Sequence, residues 1–467
     1  MSSTGARLQE LAGYARAIYQ AIQQQHPALM ALTQELWYMA EPTGQEFNTS
    51  RRVQDFLADR GFNIRPGASG LPTAAIGVCG NGPLVVGLSV EVDALPIPLD
   101  GRPVNHACGH NVAAATTIAS GLALQAIAEA AGLTVCMQID PEEEGRGGKP
   151  KKLEAGDYDG MHLYMAPHMG GYNWTELPSI GNQPYEVRMV GAGSHDASAR
   201  ESGNPVKPGL DTFGERLRQL ELGYNVEPGT LINQQAGPYC PGQANIVGAV
   251  GIQRIMVRNR NTEALSNDVM PKVARGAKFS AATFDLAAVG RRLAPLYAGP
   301  HTDPLLLELF VDVGNNDPAV NRTFQSTPST AKPASTDNWN VAYAIPTIHP
   351  TLAIKEKEGP LALHSTDMAI AANPERNPNG IGRAIKEGGA AFALTVGRIA
   401  ADPEVRAEFT ARNFSAAETL GNGRPEWMSA FPGWDNIEVL FEGVSVDPGL
   451  LTAAQEANSP TFAIPGL

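Results

Sequence analysis

Residues 84–92 (LVVGLSVEV) form a short, nearly continuous apolar run, followed by Asp93-Ala94-Leu95-Pro96. A run of this length and β-branched content reads as a strand buried on both faces, which requires a sheet covered by helices on either side. The surrounding pattern agrees. Residues 8–38 carry apolar side chains at helical spacing, with Pro27 expected to break the helix, and residues 50–60 form a second helix closed by Gly61. An alanine-rich helix over 111–131 precedes strands over 133–139 and 161–166. Strand and helix alternate in this way in a layered α/β domain.

The texture changes near residue 181. Strands over 185–190, 245–257 and 278–286, with helices over 212–222 and 263–275, describe a small α+β, ferredoxin-like unit, and Pro271 is expected to kink the second helix. A chain of 467 residues exceeds what one core usually organises. The expected organisation is a discontinuous catalytic domain over 1–183 and 300–467, with 184–299 inserted. A long helix over 381–401 closes the readable pattern, and the last fifty residues yield no assignable element.

A formal net charge of −13 disfavours nucleic acid and anionic membrane as partners. No apolar run approaches the ~20 residues of a membrane span. Four cysteines are too few for a disulfide scaffold, so the expected location is cytoplasmic.

The candidate chemistry sits in the loops. In His106-Ala107-Cys108-Gly109-His110-Asn111, thiolate and imidazole one residue apart can share one metal ion, which suits Zn2+ or a similar borderline ion. A buried cysteine beside capping histidines, or a cysteine nucleophile paired with histidine, fits that segment as well. Pro141-Glu142-Glu143-Glu144-Gly145 would ordinarily be solvated surface. Here it follows a buried strand, at the sheet edge where ligands collect. One carboxylate there can hold a metal while its neighbour acts as base. His168 follows the next strand and His364 lies late in the chain, whereas His26 and His301 read as structural, and His162 and His349 as core or supporting residues. Cys108, His110, Glu144, His168 and His364 together suit two divalent ions and an activated water. No phosphate-binding loop is present: the glycine pattern at 191–196 ends on Asp196.

An ordered series of motifs resembles the M20 metallopeptidase family, within it the amidohydrolases of N-acyl amino acids, auxin conjugates and aminobenzoyl-glutamate. The series is DALP at 93–96, HACGHN at 106–111, PEEEGRGGK at 141–149, EAGDYDG at 154–160, His168, ANIV at 244–247, STDNWN at 335–340, IHP at 348–350 and HST at 364–366. The resemblance implies that Cys108, His110, Glu144, His168 and His364 ligate two ions, Mn2+ or Zn2+ with Co2+ as a third option. It implies Glu143 as general base, Asp93 as the residue that positions the centre, and the insert as a lid and homodimerisation domain. His195 would reach the partner subunit's site, and Asn245 and Arg258 would hold a substrate carboxylate or carbonyl. The chain departs from the family at Asn111, at Arg146 within the glycine run, over 199–207 and after ANIV. Arg146 is accordingly a candidate for a substrate acid. These departures fall on the substrate side of the site.

The leading expectation is hydrolysis of a C–N bond in a small carboxylate-bearing amide. The same centre would serve a deaminase that releases ammonia from a small aromatic amine. A catalytically silent metal-binding scaffold would leave Glu143 without a task.

Overall fold

The computed structural model describes residues 3–195, 197–223, 226–239, 246–412 and 438–443. It divides into two compact units, Met1–Pro178 with His301–Arg424 and Ser179–Pro300 with Pro425–Leu467.

The first unit is built on a six-stranded sheet in the order Asn63–Pro66, Ala75–Gly80, Leu133–Asp140, Leu84–Glu91, Leu163–Met165, Thr347–Ile348. The four strands from Leu133–Asp140 onward run parallel, and the first two pair antiparallel at one edge. Strand periodicity divides the side chains. Val86, Leu88, Val90, Val135, Met137 and Ile139 face the core shared with helices Ser3–Met39, His110–Gln125 and Gly389–Ala401. Cys136 and Tyr164 face the other way, packing with Leu153, Tyr158 and Val341. This double cover is why the central strand reads as continuously apolar.

Helix Ser3–Met39 runs through Pro27 without the expected break. Pro27 and Gln23, whose carbonyl loses its donor, are both exposed, so water can take the freed acceptor.

In the second unit a strand–helix–strand–strand–helix–strand succession forms an antiparallel sheet. The order is Ala287–Arg292, Gly181–Val190, Val250–Asn259, Leu231–Tyr239, which is ferredoxin-like. Two expectations need correction here. Residues 278–286 are not a strand: helix Met270–Thr283 takes 278–283 and a turn follows at 284–285, because Val273, Ala277, Ser280 and Ala281 make one buried helical stripe. Pro271 lies inside one continuous helical run over 262–283, and the irregularity expected of it falls immediately before it, in a π-turn at Leu265–Val269. Near the end of the chain, expected within the catalytic domain, Glu438–Phe441 pairs with Ala287–Arg292 as an edge strand of the second unit's sheet.

Candidate metal centre

The loops that follow the parallel strands of the first unit carry the chemistry. Asp93, with no exposed surface, lies two residues beyond strand Leu84–Glu91. Its Oδ1 is 2.9 Å from His110 Nδ1, and its Oδ2 accepts from the Glu144 N–H at 2.8 Å. One carboxylate thus fixes both an imidazole and the backbone of the acidic loop. With Nδ1 so engaged, the other ring nitrogen of His110 is turned to the centre.

His110 opens helix His110–Gln125 behind Gly109, whose φ of 82° is left-handed. A Cβ there would lie 2.9 Å from Met169 Cβ and 2.6 Å from Met368 Cε, so the turn that places Cys108 beside His110 requires glycine. Cys108 Sγ is 3.3 Å from His168 Nε2, while His168 Nδ1 donates to its neighbour's carbonyl, Met169 O, at 2.8 Å. His364 Nε2 lies 3.3 Å from Glu144 Oε2, and the His364 N–H donates to Ala107 O at 2.9 Å. Glu142 (φ 65°) and His364 (φ 54°) both hold left-handed backbone, strain of the kind that gathers at functional sites.

Ligand-capable atoms fall into overlapping groups, each within 4.8 Å: Cys108, His110 and His168; Cys108, Glu144 and His364; His110, Glu143 and Glu144. All five expected ligands and the expected base therefore converge. His110 Nε2 and Glu144 Oε1 are buried without a hydrogen-bond partner among the described residues. Such orphaned atoms demand an explanation, and a donor set of thiolate, imidazole and carboxylate fits divalent ions of intermediate softness.

The electrostatics agree. Burial opposes protonation of His110, but the Cys108 sulfur and Asp93 outweigh it and raise the imidazole well above its ordinary range. His364 is likewise driven up to about 11, its bonds to Cys108 and Glu144 exceeding the effect of burial. Glu144 is drawn down to about 2 against burial by His364. Burial, then the charges of Glu144 and Glu91, raise Glu143. In the protein alone, protons on two histidines balance anions that are otherwise suited to dications.

Other expected residues lie elsewhere. His195 is exposed on the short strand Ser194–His195, its Nδ1 accepting from the N–H groups of Ala197 (3.2 Å) and Ser198 (3.3 Å). Arg258, on strand Val250–Asn259, is half-buried, and its Nε has no hydrogen-bond partner among the described residues. Asn245 lies outside the described residues. Arg146 is exposed, 4.0 Å from Glu142 Oε1. His162 Nδ1 accepts from Val85 N at 3.0 Å, and His301 stacks on Tyr343.

Sequence reasoning passed over Glu91, Lys149 and Asp337, all buried beside the centre. The available signal was strand parity, since Glu91 and Asp93 alternate with the apolar Val90 and Val92.

No family model matches the chain. It is 29% identical over 189 residues to the Xaa-Arg dipeptidase of Mus musculus, covering 36% of this chain and 41% of that enzyme. It is 24% identical over 202 residues to one chain of the p-aminobenzoyl-glutamate hydrolase of Escherichia coli strain K12, covering 40% and 42%. The matched stretches thus span under half the length of these relatives. In structure, an aminobenzoyl-glutamate utilization protein from Klebsiella pneumoniae superposes with a TM-score of 0.61 at 15% identity, covering 79% of this chain and 97% of the other. A dinuclear-metal-binding M20 peptidase from Bacillus subtilis gives 0.58 at 17% identity, covering 80% and 98%. The motif series, the sequence relatives and the structural neighbours therefore meet on one group of hydrolases, and the chain has the fold of the M20 metallopeptidases and amidohydrolases.

Proposed function

We propose that this protein is a metal-dependent hydrolase that cleaves the C–N bond of a small, carboxylate-bearing amide. The carrying observation is the convergence of Cys108, His110, Glu144, His168 and His364 around orphaned ligand atoms, with Glu143 beside them. Two divalent ions, Mn2+, Zn2+ or Co2+, held by those five residues would supply Lewis acidity at the scissile carbonyl and an acidic water.

The chain's own groups do the rest. Asp93 holds His110 and the acidic loop in place. Glu143 takes a proton from the attacking water as the new C–O bond forms, then delivers it to the departing nitrogen as the C–N bond breaks. Placed beside the five ligands without being one of them, it is free to act first as base and then as acid within one turnover.

The relatives are named for dipeptides, N-acetylcysteine and aminobenzoyl-glutamate, compounds that share an amide close to a carboxylate. Arg258, Asn245 and Arg146 are the groups proposed to meet that carboxylate. The second unit is proposed as lid and dimerisation domain, with His195 acting at the partner subunit's site as an oxyanion donor.

Glu143→Gln is expected to retain both ions while kcat falls about 10²–10⁴-fold. Metal analysis alongside turnover of N-acyl amino acids, dipeptides, aryl amides and aryl amines checks this, with acid and ammonia both quantified. Wild-type turnover in the variant would remove Glu143 from its role. Ammonia without a new carboxylic acid would make the protein a deaminase instead.

A further inference from the structure

Beside the five ligands lies a second carboxylate cluster. Oxygens of Glu91, Glu143 and Asp337 stand within 4.8 Å of one another, all three residues buried. Three convergent carboxylates are what a hard divalent cation seeks. This cluster touches the first: Glu91 Oε2 is 3.6 Å from His110 Nε2, the nitrogen without a hydrogen-bond partner, and Glu143 belongs to both groups.

The cluster is already served by a cation. Lys149, with no exposed surface, places Nζ 2.7 Å from Glu91 Oε1 and 2.6 Å from Asp337 Oδ1, and its backbone N–H donates to Asp337 Oδ2 at 3.0 Å. Asn338 Nδ2 adds a hydrogen bond to Glu91 Oε1 at 2.7 Å. A buried ammonium is rare unless paired, and this one is paired twice.

We propose that Lys149 is a built-in cation: it fills the position that Glu91, Glu143 and Asp337 would otherwise offer to a third divalent ion, and so holds the centre at two ions. The consequence rests on the reading of Glu143 as base. A carboxylate drawn into a third coordination sphere would be spent as a ligand and no longer free to face the substrate water. An ammonium shares one charge among three N–H donors and forms no coordinate bond, so the neighbouring carboxylate is not taken up as a ligand.

The test is metal content per chain, measured by mass spectrometry after equilibration with Mn2+ and gel filtration, on the full-length protein. Wild type and Lys149→Arg should carry two ions. Lys149→Met should carry one more, and the added substitution Glu91→Gln should remove it again. Because Lys149→Met strands two buried carboxylates, its melting temperature should fall without Mn2+ and rise on adding Mn2+ by more than wild type's. A folded Lys149→Met with the wild-type count overturns the proposal, as does one that stays unfolded at saturating Mn2+. If wild type binds ions but hydrolyses no amide, the functional reading fails and the difference in count still stands.

Discussion

Glu46 shows what a single buried carboxylate does beneath the centre. It has no exposed surface, and its Oε1 accepts from the N–H groups of Gly44 (2.7 Å) and Glu142 (3.1 Å), its Oε2 from Thr73 Oγ1 (3.1 Å). Burial, then the charge of Asp93, raise its pKa to about 7. Between the unfolded value near ~4.3 and about 7, the folded protein keeps a proton that the unfolded chain has released. The contribution of this group to stability is therefore full below that window and falls as pH rises through it, by about 2–4 kcal/mol. Glu46→Gln keeps an acceptor for both N–H groups and has no charge to bury. Urea unfolding at pH 5 and pH 7.5 should show wild type losing about that much relative to the variant, and parallel pH profiles would rule the assignment out. The same scale shows what could be read from sequence. Of the proposed site, Glu143 and Glu144 were legible because they directly follow a buried strand, and Cys108, His110, His168 and His364 because they stand in an ordered series of motifs. Glu91, Lys149 and Asp337 were not, because their pairings join positions 58 and 188 residues apart, and a lysine among Lys149, Lys151 and Lys152 looks like solvated surface until the fold buries it.

At the scale of elements, the acidic loop depends on how strand Leu133–Asp140 passes into helix Gly148–Glu154. A Cβ on Gly148 would lie 1.9 Å from Pro141 O, a backbone atom that cannot turn aside. Glycine here lets the loop fold back on its own start and present Glu143 and Glu144 together. Gly148→Ala should therefore open the loop, costing about 1–3 kcal/mol of stability by overpacking, and should weaken ion binding with it. Calorimetric titration of the stripped protein measures the second effect, and an unchanged metal affinity would show that the loop tolerates the shift. Element readings succeeded where burial is two-sided or alanine-rich, as in Leu84–Glu91 and His110–Gln125. They failed at 278–286, where Phe279 is exposed and Ala281 buried, a contrast that only the packed helix decides. The edge strand Glu438–Phe441 escaped notice because its partner lies about 150 residues earlier, at Ala287–Arg292.

For the whole molecule, all five proposed ligands and Glu143 belong to the first unit, while His195 and Arg258 belong to the second. Ion binding should then be indifferent to His195, and catalysis should not be. If His195 serves the partner subunit's site, two inactive proteins can repair each other. A dimer of one Glu143→Gln chain and one His195→Ala chain contains one site with an intact base and an intact donor. Its other site lacks both. Random pairing of equal amounts makes half the dimers hybrid, so the mixture should recover roughly a quarter of wild-type activity. Co-expression with distinct affinity tags, followed by isolation of the hybrid, raises that to about half. A hybrid as inactive as its parents would place His195 in its own chain's site or outside the chemistry. A sedimentation mass equal to one chain would remove the partner from the mechanism altogether, leaving the metal centre of the first unit as it stands.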